Sequence, residues 1–141
     1  LLEKKTFTSA FKNNRCLIPL SGWYEWRTEN ESRQPYFFHN KDNLQIFTAG
    51  LFWKRSNGDI ETSIITTEAV SPLDTIHNRS PLILNTSQIE SWLSDKEVDL
   101  IYDDIKKVNY EDILFHKVDK AVNNTKNTNA SLIKKFEEVP F

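Results

Sequence analysis

The segment from Leu44 to Thr67 constrains the fold more than any other. Leu44 to Lys54 (LQIFTAGLFWK) is an apolar run of strand length interrupted at Gly50, Asn57-Gly58 is a two-residue hairpin signal, and Glu61 to Thr67 supplies the returning strand. Three further runs have strand character. Cys16 to Trp26 (CLIPLSGWYEW) reads as one strand with a bulge or bend at Ser21-Gly22, Tyr36 to His39 as a second, and Ile113 to Val118 as the last. Between them, Thr28 to Gln34 reads as a polar loop closed by Pro35, and Lys41-Asp42-Asn43 as a tight turn. Successive apolar strands with turn-sized connections predict an antiparallel sheet, curled at its glycines into an open or closed barrel.

Helical signals flank these strands. Leu2, Phe7 and Phe11 among polar residues suit a short amphipathic helix that Asn13-Asn14 would end. Asn85 or Thr86 can cap a helix through Leu93, and Asp95 a second one in which Val98, Ile101, Tyr102 and Ile105 share a face. Ser71 to Asp74 starts a loop or a single helical turn, while Asn123 to Asn129 reads as too polar to pack. The expected class is therefore α+β, an antiparallel, barrel-like β-sheet core with flanking helices, forming one domain over residues 1–141.

Composition limits the function classes. With 18 basic and 20 acidic residues, formal charge −2, the chain has no overall basic field, so a nucleic-acid partner would have to be held by a local patch. Mean hydropathy of −0.55 predicts a soluble chain. One cysteine makes no internal disulfide, and the N-terminal residues offer neither a signal-peptide core nor a membrane span, so an intracellular setting is expected. The chain opens on Leu1 and contains no Met, which leads us to expect an upstream segment.

Chemistry is sparse. Glu25 stands among Trp23, Tyr24 and Trp26, and a carboxyl that loses hydration among rings holds its proton to higher pH, which suits an acid or base. The competing reading is a strand whose alternation puts Tyr24 and Trp26 on the face opposite a solvent-facing Glu25. Cys16 precedes Leu17 and Ile18, an apolar setting in which a thiol is inert packing. His39, His77 and His116 lack metal-ligand spacing, so neither a metal nor a cofactor is expected. His116 reads as a satisfied strand histidine. His77 differs, because Asp74, Asn78 and Arg79 bracket it in a loop. Arg15, Arg27, Arg33 and Lys5 are candidate phosphate contacts and Trp26 a candidate stacking face; the plainer alternative is solvated charges and a core tryptophan.

Three segments together resemble the SOS-response-associated peptidase (SRAP) family: GWYEW at Gly22 to Trp26, IHNRSP at Ile76 to Pro81 after TTEA at Thr66 to Ala69, and AVNNTKN at Ala121 to Asn127. The resemblance implies a compact α+β domain around a barrel-like sheet, and a DNA-repair protein that captures abasic sites in single-stranded DNA as a thiazolidine on an N-terminal cysteine. It implies peptidase activity in the sense of processing its own N-terminus. By motif, Glu25 resembles the family's acid/base glutamate, His77 its active-site histidine, Trp26 the aromatic beside the DNA, and Arg79 an arginine that holds phosphate. Lys5 and Thr66 fall where further DNA contacts are expected. The nucleophilic cysteine should lie several dozen residues before Leu1, so residues 1–141 alone are expected to be inactive, and the protein to be a monomer. Ser80 replaces a methionine usual in the histidine loop, which should alter packing around His77 more than chemistry.

Two rivals remain at this point. One is a non-covalent single-stranded nucleic-acid-binding module using Arg79, Lys5 and Trp26. The other is a small hydrolase pairing Glu25 with a second carboxylate such as Asp74, which needs the two groups within about 5 to 10 Å.

Overall fold

A computed structural model describes residues 5–137, with backbone alone at residues 5–7. Leu2 therefore lies outside the described residues, as do the side chains of Lys5 and Phe7. Among the described residues helix α1 (Lys5–Asn13) comes first, and eight strands follow: β1 (Arg15–Leu20), β2 (Trp23–Glu29), β3 (Ser32–Asn40), β4 (Ile46–Lys54), β5 (Ile60–Ile64), β6 (Thr66–Glu68), β7 (Arg79–Pro81) and β8 (Ile113–Lys117). Helices α2 (Thr86–Trp92) and α3 (Val98–Ile105) separate the last two strands. Every strand pairing is antiparallel. They form two three-stranded sheets, β1-β4-β5 and β2-β3-β8, and the small ribbon β6-β7, so the expected barrel-like sheet does not close.

The expected single strand from Cys16 to Trp26 is instead two strands in different sheets, divided at Ser21-Gly22. The cause is local crowding. A Cβ on Gly22 would stand 2.4 Å from both the Phe37 ring and the Phe38 carbonyl oxygen, so only glycine lets the chain cross β3 there. The polar segment Thr28 to Gln34 is not a loop. β2 and β3 run through it as a hairpin whose two turn residues, Asn30 and Glu31, both adopt the left-handed region at φ 47° and 64°. Glu61 to Thr67 divides at Ile65, whose N–H donates to the Ala49 carbonyl at 2.9 Å.

The β4–β5 hairpin forms as expected, with Gly58 at φ 92° in its turn, and Asn43 at φ 55° makes the tight turn after β3. Asn85 caps α2 in a capping box with Gln88. Asp95 does not cap α3; Glu97 occupies that position and makes no side-chain cap.

Two apolar clusters hold the molecule together. Helices α1, α2 and α3 cover the β1-β4-β5 sheet through Phe11, Leu51, Trp92 and Ile101. Tyr36, Phe38, Leu73, Ile76 and Ile113 form the second cluster on the inner face of β2-β3-β8. β4 enters both, with Ile46 in one and Ala49 in the other.

Candidate active site

β6 and β7 carry a ten-residue excursion between them, closed where the Ala69 N–H donates to the Asn78 carbonyl at 3.0 Å. Within it a 3-10 turn, Leu73–Thr75, buries Leu73, and the following Ile76 is buried in the same cluster as Tyr36 and Phe38. These apolar anchors seat the loop on the inner face of the β2-β3-β8 sheet. The next residue is His77. Strand alternation turns Trp23 and Glu25 to that same face, with Trp23 stacked on Phe38 at 4.9 Å. His77 Nδ1 thereby lies 3.7 Å from Glu25 Oε2, with the two side chains 41% and 22% exposed, so the pair is partly desolvated yet open to a ligand.

Burial is the main influence on Glu25 and raises its pKa above the usual carboxylate range, while the attraction of His77 opposes it. His77 Nδ1 is 3.2 Å from the Arg79 backbone N–H and 3.0 Å from the Arg79 carbonyl. A bare Nδ1 accepts from that N–H; a protonated one faces the carbonyl and the Glu25 carboxylate. One ring nitrogen thus has a partner in either protonation state, which suits a group that gives and takes a proton.

The Arg79 guanidinium donates to Thr66 Oγ1 at 3.0 Å and to the Thr66 carbonyl, so Thr66 holds that cation across the ribbon. Ser80 is buried and donates to Tyr110, whose hydroxyl donates to the Pro81 carbonyl at 3.0 Å. The loop is thus tied to the core immediately beyond Arg79.

Trp26 lies on the opposite face of β2, as alternation requires. Its indole N–H donates to Asn123 Oδ1 at 2.6 Å, and the Arg33 guanidinium sits 5.6 Å from its ring. Asn123 belongs to the segment expected not to pack, and Asn127 further braces that segment by donating to the Ala121 carbonyl. The AVNNTKN motif contains Asn123, but its partner Trp26 is distant in sequence. The backbone of Lys5 opens α1, and its side chain lies outside the described residues.

The other candidates separate. Arg15 spends its guanidinium on the carbonyls of Phe11, Lys12, Trp92 and Ser94, an internal brace rather than a phosphate contact. Burial raises the Cys16 pKa, consistent with inert packing. His116 Nε2 meets the Ile133 carbonyl at 2.9 Å. Asp74 is exposed on the 3-10 turn; among the described residues, the group within ion-pair reach of Glu25 is His77.

The fold is that of a small antiparallel α+β protein in which the edge strand β2 sets a carboxyl against the imidazole of a loop that also carries Arg79. The sequence model of the SOS response associated peptidase (SRAP) family matches residues 1–125, and the chain belongs to that family. It is 30% identical over 136 residues to the abasic site processing protein YedK of Escherichia coli, covering 92% of this chain and 61% of that protein. It is 31% identical over 153 residues to the abasic site processing protein HMCES of Xenopus tropicalis, covering 90% and 45%. A crystal structure of a Bacteroides thetaiotaomicron protein superposes with TM-score 0.82 at 26% identity, covering 96% of this chain and 62% of that one. The chain thus spans less than two thirds of each of these relatives. Among the described residues, no helix is long and apolar enough to cross a membrane.

Proposed function

We propose that the protein acts in the response to DNA damage, capturing abasic sites in single-stranded DNA covalently through an N-terminal cysteine that precedes Leu1. The contact of Glu25 with His77 carries this reading. An abasic deoxyribose is mostly a closed hemiacetal, and opening it needs a proton at the ring oxygen while another leaves the anomeric hydroxyl. A carboxyl whose pKa is raised by burial still holds a proton to deliver, and the adjacent imidazole can take one up. The freed aldehyde then condenses with the cysteine α-amine, losing water, and the thiol adds to the resulting imine carbon to close a thiazolidine. The amine suits this step because its reference pKa of about 7.7 to 8.0 leaves a useful neutral fraction.

Arg79, held by Thr66 in the loop of His77, is a phosphate contact, Trp26 offers an aromatic face farther along the strand, and Lys5 is a further cation for the DNA. Peptidase chemistry in this reading is removal of the residue ahead of the cysteine.

The test is covalent adduct formation with abasic and undamaged single strands under denaturing conditions. The intact protein should form an adduct with the abasic strand alone, and Glu25→Gln should slow it by about 10²-fold or more. A polypeptide beginning at Leu1 should form none; an adduct from it would overturn the assignment of the nucleophile. A Glu25→Gln protein that captures at the full rate would overturn the role of the carboxyl.

A further inference from the structure

The inner face of β2 continues past Glu25. Alternation brings Arg27 and Glu29 to that face, and the register of β2, β3 and β8 sets Glu25, Tyr36 and Lys117 on one rung. These residues form one network. Glu29 accepts from the Tyr36 hydroxyl at 2.5 Å and from Lys117 Nζ at 2.9 Å, and Arg27 Nε lies 3.8 Å from the same carboxylate.

Three features set this cluster apart from an ordinary surface ion pair. Two cations, Arg27 and Lys117, flank one carboxylate. Tyr36 is only 6% exposed, so its hydroxyl anchors Glu29 from the core and fixes both cations on the Glu25 face instead of leaving them extended in solvent. The cations nevertheless stay accessible, with the Arg27 and Lys117 side chains 50% and 36% exposed. An exposed ion pair contributes little to stability, so stability gives little reason for such an arrangement.

The location also matters. Arg27 stands two residues from Glu25 along an extended strand, about 6 to 7 Å. Among the described residues, His77 is the one charged group that noticeably influences the Glu25 carboxyl.

We propose that Arg27 and Lys117, braced by Glu29 and Tyr36, bind the backbone phosphate flanking the sugar held at Glu25 and His77, so that the strand leaves the site along β2. This rests on the single-stranded DNA reading above. Arg27 and Lys117 are positioning residues: their donors meet phosphate oxygens, and the base sequence is not read.

The experiment measures binding of the intact protein to an undamaged labelled single strand across a salt series. Arg27→Gln and Lys117→Gln should each weaken binding to every sequence and flatten the log–log salt slope by about 0.7, one single-strand phosphate contact. Arg27→Lys should keep the slope, which guards against a variant that merely misfolds. Oligonucleotides truncated on one side of the abasic residue supply the direction. Truncation on the β2 side should abolish the difference between wild type and Arg27→Gln, and truncation on the other side should preserve it. Wild-type slopes in both Gln variants would overturn the proposal, leaving the network as structural bracing only, as would a difference insensitive to which side is cut. Failure of covalent capture by wild type with these slope changes intact would refute the function proposed above and leave the phosphate contact standing.

Discussion

Glu25 sits where the apolar inner face of β2-β3-β8 gives way to Arg27 and Glu29, and its chemistry follows from that boundary. Burial raises its pKa in the folded protein, so the native state binds this proton more tightly than the unfolded chain does. The penalty on the ionised form is fully present above the raised pKa and disappears below the unfolded value of about 4.3. At pH 8, Glu25→Gln should therefore melt at a higher temperature than wild type, and the gap should close as pH falls toward about 4, read by thermal melts across a pH series. Gly22 is constrained by shape instead. Gly22→Ala drives a methyl into the Phe38 carbonyl and Phe37 ring, and should cost about 1 to 3 kcal/mol by urea unfolding. Glu25 and His77 stand out in the sequence, one in an apolar strand and the other in a polar loop, although Tyr24 and Trp26 beside Glu25 face the other side of β2. The roles of Arg15 and Lys117 are not legible there, because each depends on groups from distant elements: the carbonyls of Trp92 and Ser94 for one, Glu29 for the other.

The elements show where pattern reading holds. The β4–β5 hairpin and the α2 cap are set by residues adjacent in sequence, and both form as expected. Asn85→Ala removes the oxygen that accepts from Gln88 N–H and should cost about 1 kcal/mol, measured by chemical denaturation. The β2–β3 hairpin has the polarity of a loop, and its sequence alone does not reveal it. Its pairing is supported from a third strand: Gln34 donates to the Val118 carbonyl, and Val118 N–H donates to the Pro35 carbonyl. Its turn still carries a conformational cost that a β-carbon imposes at positive φ. Replacing Glu31 by glycine should stabilise the protein by about 1 kcal/mol, and an unchanged urea midpoint would count against that assignment.

At the scale of the whole molecule, two sheets and two apolar clusters are joined through β4, which contributes Ile46 to one and Ala49 and Leu51 to the other. Val108 packs against both clusters. A shared strand couples their unfolding. Far-ultraviolet circular dichroism and tryptophan fluorescence, which reports Trp92 in one cluster and Trp23 in the other, should therefore give coincident transitions; separated midpoints would show that the two halves open independently. The sequence by itself determined the antiparallel α+β character, the hairpin of β4 and β5 and the cap of α2, because each rests on local patterns of polarity and backbone preference. Only the tertiary structure decided that the bend expected at Ser21-Gly22 parts two sheets, that the sheet stays open, and that Glu25 meets His77. Those outcomes depend on strand register and on where Leu73 and Ile76 find apolar cover, which are properties of packed surfaces from distant parts of the chain.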